Sequence, residues 1–270
     1  MGSVPILAAS PVMAKKKIVP KLRTGKLAVR KDPRTAKLSD VLDVPAVEFP
    51  DKFDVDTENP EIAANPIRMF LNNQFGCCVI AGRAHQTIRF EFVEQRKVIN
   101  ITDGEIETQY FRETGGADNG LVVLDSLKSW RNDGWRAGGR KYKIHFFAQV
   151  NPRDEDQVKA AIFMKVGIGL GLRLPSNYEE VFHSGDVWDG SLVGDDDNRH
   201  YVHATGYSDK GVTFITWGAR RLMTWDFLAT NCDEAYAIID DLDKFDDTPL
   251  DTEAVNDHID NVVEADSNED

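Results

Sequence analysis

Apolar positions recur at Val79, Ile80, Ala84, Ile88 and Phe92, a spacing that predicts one helix from Cys78 to about Arg96. A second helix is predicted over "GEIETQYFRETG", with Asp103 as its cap. A third covers "GLVVLDSLKSWRNDG", where Leu121, Leu124, Leu127 and Trp130 form one stripe. "KYKIHFFAQV" reads as a strand. Asn151, with Pro152 at the first helical position, then opens a helix over "PRDEDQVKAAIFMKVG". "IGLGLRL" is a buried strand whose glycines suit close packing rather than a phosphate loop. Residues 175–199 read as a long polar loop holding Trp188 and the acidic run Asp195, Asp196 and Asp197. "HYVHATGYS" and "GVTFITWG", split by the turn "DKG", form a hairpin, and "EAYAIID" is a last strand. Residues 38–71, with Pro45, Pro50, Pro60 and Pro66, are an irregular lead-in. Helices come first and antiparallel strands later, which is an α+β order and not an alternating βαβ one. There is no internal repeat.

Composition fits this picture. The chain has 270 residues and is 41% hydrophobic, enough for a core of one large or two small domains. No apolar run approaches the ~20 residues that span a bilayer, so no membrane association is expected. The start "MGSVPILAASPVMAKKK" lacks a basic segment before its apolar stretch and does not read as a signal peptide; Met13 is an alternative start. Cys77, Cys78 and Cys232 make no disulfide framework, and neighbouring cysteines bridge only under strain. A reducing compartment, or a particle assembled in one, is the expected location.

The net charge of −13 is unevenly spread. Residues 14–37 are strongly basic, whereas residues 240–270 are strongly acidic and hold Lys244 as their only Lys or Arg. The basic arm suits solvent or a protein surface. No aromatic residues interleave with its charges, so nucleic acid is not the expected partner. The tail is too poor in apolar residues for a core and is expected to be disordered or laid out along a partner. The division is therefore a basic extended arm (1–40), a main domain (41–245) and an acidic tail (246–270).

The chemistry concentrates at "NNQFGCCVIAGRAH". Cys78 falls on the expected first turn of a helix, where the N-terminal dipole lowers a thiol's pKa, and Gly76 permits a tight turn before it. A base must come from elsewhere in the chain: His85, His145, His183, His200, His203 or His258. His85 lies two turns along the same helix, out of direct reach. His200 and His203 are three apart on a strand and so face opposite ways. Adjacent cysteines lack the spacing that wraps one zinc ion, and no cofactor motif is present.

At these residues the sequence resembles the papain-like cysteine peptidases, through "NNQFGCCVIAG", "HYVHATGY" and "FITWG". It is most similar to phage and bacterial papain-like proteins that carry a G-[DC]-C block followed by A-G-x-A-H. The late block of that group is matched by Thr216–Gly218, Met223–Trp225 and Cys232–Ala237, and the resemblance spans roughly residues 65–240. It implies a papain-like α+β fold, a helical half and an antiparallel β half with a cleft between them. It implies Cys78 as nucleophile, with Cys77 a packed neighbour. His200 becomes the base, six residues before the glycine of Gly206–Tyr207. Asn72, six residues before Cys78, takes the oxyanion-hole position beside the Cys78 N–H, and Trp217 shields the imidazole.

Two departures stand out. The asparagine that orients the histidine in the family is Ile215 here, which cannot hydrogen-bond; Thr216 or one of Asp195–Asp197 would have to substitute. The cysteine usually found before the nucleophile for a disulfide is Phe75. Two functions follow from the resemblance. One is a phage-encoded thiol hydrolase acting on peptide or protein amides, in a host cytoplasm or on a virion. The other is a papain fold with an eroded triad, kept as a head, tail or decoration protein whose charged ends hold neighbouring virion proteins.

Overall fold

The computed structural model describes residues 21–164, 167–242 and 248–267. After an irregular lead-in, strand β1 (Phe53–Asp54) runs into two single-turn helices, α1 (Val55–Glu58) and α2 (Pro60–Ala63). The helical half follows: α3 (Cys78–Gln95), α4 (Asp103–Glu113) and α5 (Val123–Asn132), closed by a small ribbon of β2 (Trp135–Ala137) and β3 (Arg140–Tyr142). The rest is β4 (Phe146–Gln149), α6 (Glu155–Phe163), β5 (Gly167–Arg173), α7 (Tyr178–Ser184), β6 (Arg199–Ser208), β7 (Gly211–Thr216), β8 (Ala219–Met223), α8 (Trp225–Asn231), β9 (Cys232–Ile239) and α9 (Thr252–Ser267). The main sheet is ordered β4-β9-β5-β6-β7-β8, with β1 added to β6, and all its pairings are antiparallel. This is the expected α+β architecture.

Helix α3 is the axis of the molecule. Every residue from Cys78 to Phe92 is buried, because one side packs on α4 and α5 and the other on β6. Both of its arginines are paired inside. Arg83 reaches Glu113 at 2.8 Å and the Ser126 carbonyl at 2.7 Å, and Arg89 Nε reaches Asp56 Oδ1 at 2.8 Å. Unpaired, such buried charges would cost several kcal/mol each. One apolar cluster joins α3, α4, α5, Tyr201 and Tyr236; the other joins α6 and α8 to the opposite sheet face.

Several elements differ from expectation for local reasons. Helix α4 is capped by Thr102, not Asp103: the Thr102 hydroxyl accepts from the Glu105 N–H and the Glu105 carboxylate accepts from the Thr102 N–H, a capping box. Helix α6 starts three residues late, at the cap Asp154, which accepts from the Gln157 N–H. "KYKIHFFAQV" divides between two sheets. The loop 175–199 contains α7, and β8 and α8 lie in a stretch with no strong period.

The two ends need correction. The acidic tail is neither disordered nor extended over 252–267 but helical, and its Val255 is fully buried. The His258 ring sits edge-on to Phe146, 5.7 Å away. The described part of the basic arm lies on its own domain: Leu22, Lys26, Ala36 and Leu38 are buried. Arg23 pairs with Asp118 at 3.1 Å and Lys128 with Asp32 at 2.6 Å. The rest of the arm, residues 1–20, lies outside the described residues.

Candidate active site

Cys78 begins α3 at the seam between the helical half and the sheet. Its thiol is buried, and that burial pushes its pKa up to about 11. The backbone N–H groups of Tyr201, Gly25 and Val79 and the positive charge of Lys26 act the other way. Tyr201 adjoins His200 on β6, so the helix start and the strand carrying the histidine meet at the sulfur. Cys77, also buried, directs its Sγ to the Phe70 carbonyl at 3.3 Å, and burial raises its pKa further still.

His200 has a built environment. Its Nε2 lies 2.7 Å from Thr216 Oγ1. Trp217 stacks on its ring with centroids 4.1 Å apart and planes 19° from parallel. The tight β7–β8 turn puts the indole there: Trp217 has φ +43° and Gly218 φ +73°, both left-handed, a costly setting for a tryptophan. Tyr178, Phe182 and Trp188 hold the indole from behind. Burial alone lowers the His200 pKa to about 3, so the ring is neutral. Its Nδ1 is buried without a hydrogen-bond partner among the described residues. No hydrogen bond joins it to Cys78.

Ile215 is buried and pairs with His203 and Arg220 across the sheet, leaving Thr216 as the hydrogen-bonding group at the imidazole. The acidic run is elsewhere: Asp195 shapes its own loop by accepting from the Asp197 N–H, and Asp196 pairs with Arg199 at 2.7 Å. His203 turns its Nδ1 to the Ile168 carbonyl, 3.1 Å away, and is distinct from the His200 site.

The space over Cys78 is filled by residues 22–27 of the chain itself. Asn72 Nδ2 donates to the Arg23 carbonyl at 3.2 Å, and Trp217 Nε1 donates to the same oxygen at 3.0 Å. The Tyr178 hydroxyl donates to the Leu22 carbonyl. Leu121 clamps the strap on either side of Lys26: its N–H donates to the Gly25 carbonyl at 2.8 Å, and its carbonyl accepts from the Leu27 N–H at 2.9 Å. Gly25 and Lys26 both donate to the Arg199 carbonyl. Gly25 passes so close to Gly76 that a Cβ on it would lie 1.8 Å from the Gly76 carbonyl oxygen. Lys26 leaves the strap with a fully buried side chain, its Nζ 2.9 Å from both Asp233 Oδ1 and Glu234 Oε1. None of these strap contacts was read from the sequence. The signals were present only as a lone glycine inside a basic run and an acidic pair beside Cys232.

Asn72 and Trp217 thus meet at the Arg23 carbonyl, Trp217 stacks on His200, and Cys78 starts α3 beside the same strap. Among the described residues no cluster of His, Cys, Asp or Glu could hold a metal ion, and no helix is long and apolar enough to cross a membrane.

No protein-family model and no curated protein matches the sequence. Solved structures do match by shape. Xylellain, a cysteine protease from Xylella fastidiosa, superposes with a TM-score of 0.63 at 15% identity, covering 85% of this chain and 99% of its own. Procathepsin B from Trypanosoma congolense gives 0.58 at 11% identity, covering 81% and 86%. A cysteine protease from Carica candamarcensis, solved with E-64, gives 0.52 at 13%, covering 71% and 99%. The chain has the fold of the papain-like cysteine proteases.

Proposed function

We propose that this protein is a thiol peptidase whose cleft is covered by its own residues 22–27. The observation that carries the reading is His200, held by Thr216 and Trp217 with its Nδ1 unpartnered, on the strand whose next residue, Tyr201, adjoins Cys78. A proton on Nε2 donates to Thr216 Oγ1 and leaves the Nδ1 lone pair as the base. Nδ1 takes the proton of the Cys78 thiol, and the thiolate attacks a peptide carbonyl. The Asn72 amide, now spent on the Arg23 carbonyl, and the Cys78 N–H stabilise the oxyanion. Nδ1–H then protonates the departing amine as the C–N bond breaks, and water hydrolyses the thioester with His200 again as base. The raised thiol pKa and lowered imidazole pKa describe a covered site; readmitting water removes the cause of both.

The test is cleavage of fluorogenic peptides and labelling by E-64 in the full chain and in a variant with the strap displaced. Hydrolysis that disappears in Cys78→Ser and His200→Ala but survives Cys77→Ser supports the reading. Labelling that persists in Cys78→Ser overturns it.

The second reading is a papain fold kept as architecture, including a phage particle component. It draws support from Ile215 and from the filled cleft. Stable copies in purified particles, together with a Cys78 that stays unreactive after the strap is displaced, favour it.

A further inference from the structure

Lys26 is unusual in being a lysine with no exposed side-chain surface. A buried ammonium needs a site shaped for it. Its Nζ lies 2.9 Å and 3.1 Å from the two Asp233 oxygens, 2.9 Å from Glu234 Oε1 and 3.3 Å from the Leu27 carbonyl. The stem runs through a channel left open by Gly171, where an added Cβ would stand 2.2 Å from Lys26 Cε and 2.7 Å from Glu234 Cγ. Asp233 has a second cation from the domain, Arg199, at 2.5 Å. Glu234, with 4% of its side chain exposed, takes the Tyr236 hydroxyl on Oε2. Its Oε1 meets no hydrogen-bond donor in proper alignment and faces the Lys26 ammonium alone. Without the strap, a buried carboxylate points into an empty, lysine-shaped channel.

The channel belongs to the cleft. Gly25 lies on Gly76, two residues before Cys78, and donates its N–H to the carbonyl of Arg199, the residue before His200; Lys26 is the next residue, its flanking peptide groups held by Leu121. Any extended peptide that replaces the strap on Leu121 places one side chain where Lys26 now sits.

We propose that Gly171, Asp233 and Glu234 form a specificity pocket that selects a lysine side chain in the substrate, one residue away from the residue lying over Cys78. This rests on the thiol-peptidase reading for its chemistry. The strap occupies the same pocket with Lys26 and so competes with lysine-containing peptides.

The experiment uses the full chain with the strap displaced by Gly25→Ala, or by Lys26→Ala where the first variant fails to fold. Iodoacetamide reports whether Cys78 reacts at all. Epoxysuccinyl peptides carrying lysine, leucine or glutamate beside the epoxide report selectivity, since the sulfur opens the epoxide C–O bond and forms a thioether. The lysine probe is expected to label at least about tenfold faster than the leucine probe, as a charged hydrogen bond contributes. That preference is expected to vanish when Glu234→Gln is added. Equal lysine and leucine rates with normal iodoacetamide labelling overturn the pocket and leave the thiol reading standing. If iodoacetamide fails to modify Cys78, the thiol reading falls and the pocket is judged without chemistry. In Lys26→Ala, n-butylammonium should then raise the melting temperature where 1-butanol does not; equal effects of the two overturn the proposal.

Discussion

His200 Nε2 and Thr216 Oγ1 lie 2.7 Å apart, both buried, at the position where Ile215 left the imidazole without its expected amide partner. A hydroxyl one residue further along the turn has taken over the task of holding the ring. Thr216→Val keeps the shape and removes the hydrogen bond, so a buried ring nitrogen loses its partner at a cost of about 1–3 kcal/mol. In a strap-displaced background, kcat/KM is expected to fall about 10- to 100-fold, carried by kcat, while Thr216→Ser stays near the parent. Unchanged kcat in Thr216→Val would show that the hydroxyl does not orient the base.

The strap should open by backbone collision alone. Gly25 packs against the Gly76 main chain, and no rotamer change can relieve a contact between a Cβ and a carbonyl oxygen at 1.8 Å. Gly25→Ala is therefore expected to expel residues 22–27 and to raise both the iodoacetamide rate at Cys78 and protease sensitivity near residue 25. Each can be followed by mass spectrometry. A Gly25→Ala protein with parental labelling and parental proteolysis would mean that the strap tolerates the collision or does not control access.

Much of this was legible in the sequence. The 3.6-residue period marked α3 within a residue of its observed end, because Val79, Ile80, Ala84, Ile88 and Phe92 recur at helical spacing. The "DKG" turn gave the β6–β7 hairpin. Helix α9 was missed because its apolar residues are sparse and its stability comes from docking Val255 and His258, a tertiary effect that composition does not carry. The strap was missed for the same reason. Its residues look like a solvated basic run, and only the fold brings Lys26 to Asp233 and Glu234, more than 200 positions away. Thr216 was among the named substitutes for the orienting group, but choosing it required the turn geometry at Trp217.

The two adjacent thiols should part company once the cleft opens. Both are buried and both have raised pKa values, so neither reacts readily in the closed protein. Cys78 starts α3 beside the strap, next to Gly76, on which Gly25 packs; Cys77 faces the Phe70 carbonyl inside the helical core. Displacing the strap is expected to accelerate alkylation of Cys78 by an order of magnitude or more and to leave Cys77 unchanged. Peptide mapping of alkylated protein separates the two through Cys77→Ala and Cys78→Ala. Faster modification of Cys77 would place the opening in the helical core instead of the cleft.

Acid should destabilise the closed protein through its buried histidines. His85 and His200 have pKa values lowered to about 3, and His203 is lowered well below its usual value, in each case chiefly by burial. Arg89 faces both His85 and His203, and its charge deepens their shifts. Above about pH 6.5 these rings are neutral in both folded and unfolded chains and contribute no pH dependence. Below it the unfolded chain binds protons that the folded chain refuses, so stability falls as pH falls, and for His85 and His200 this continues until their folded-state values near 3 are reached. Each ring contributes up to about 1.4 kcal/mol per pH unit inside that window. Glu234, raised chiefly by burial, works in the opposite direction as pH drops toward its folded value, but it is one group against three. The melting temperature is therefore expected to drop steadily between about pH 6.5 and pH 5, and His203→Gln should flatten the slope by roughly a third whatever its effect on stability at pH 7. A melting temperature constant across that range, or a slope untouched by His203→Gln, would show that the histidines do not refuse protons in the folded state.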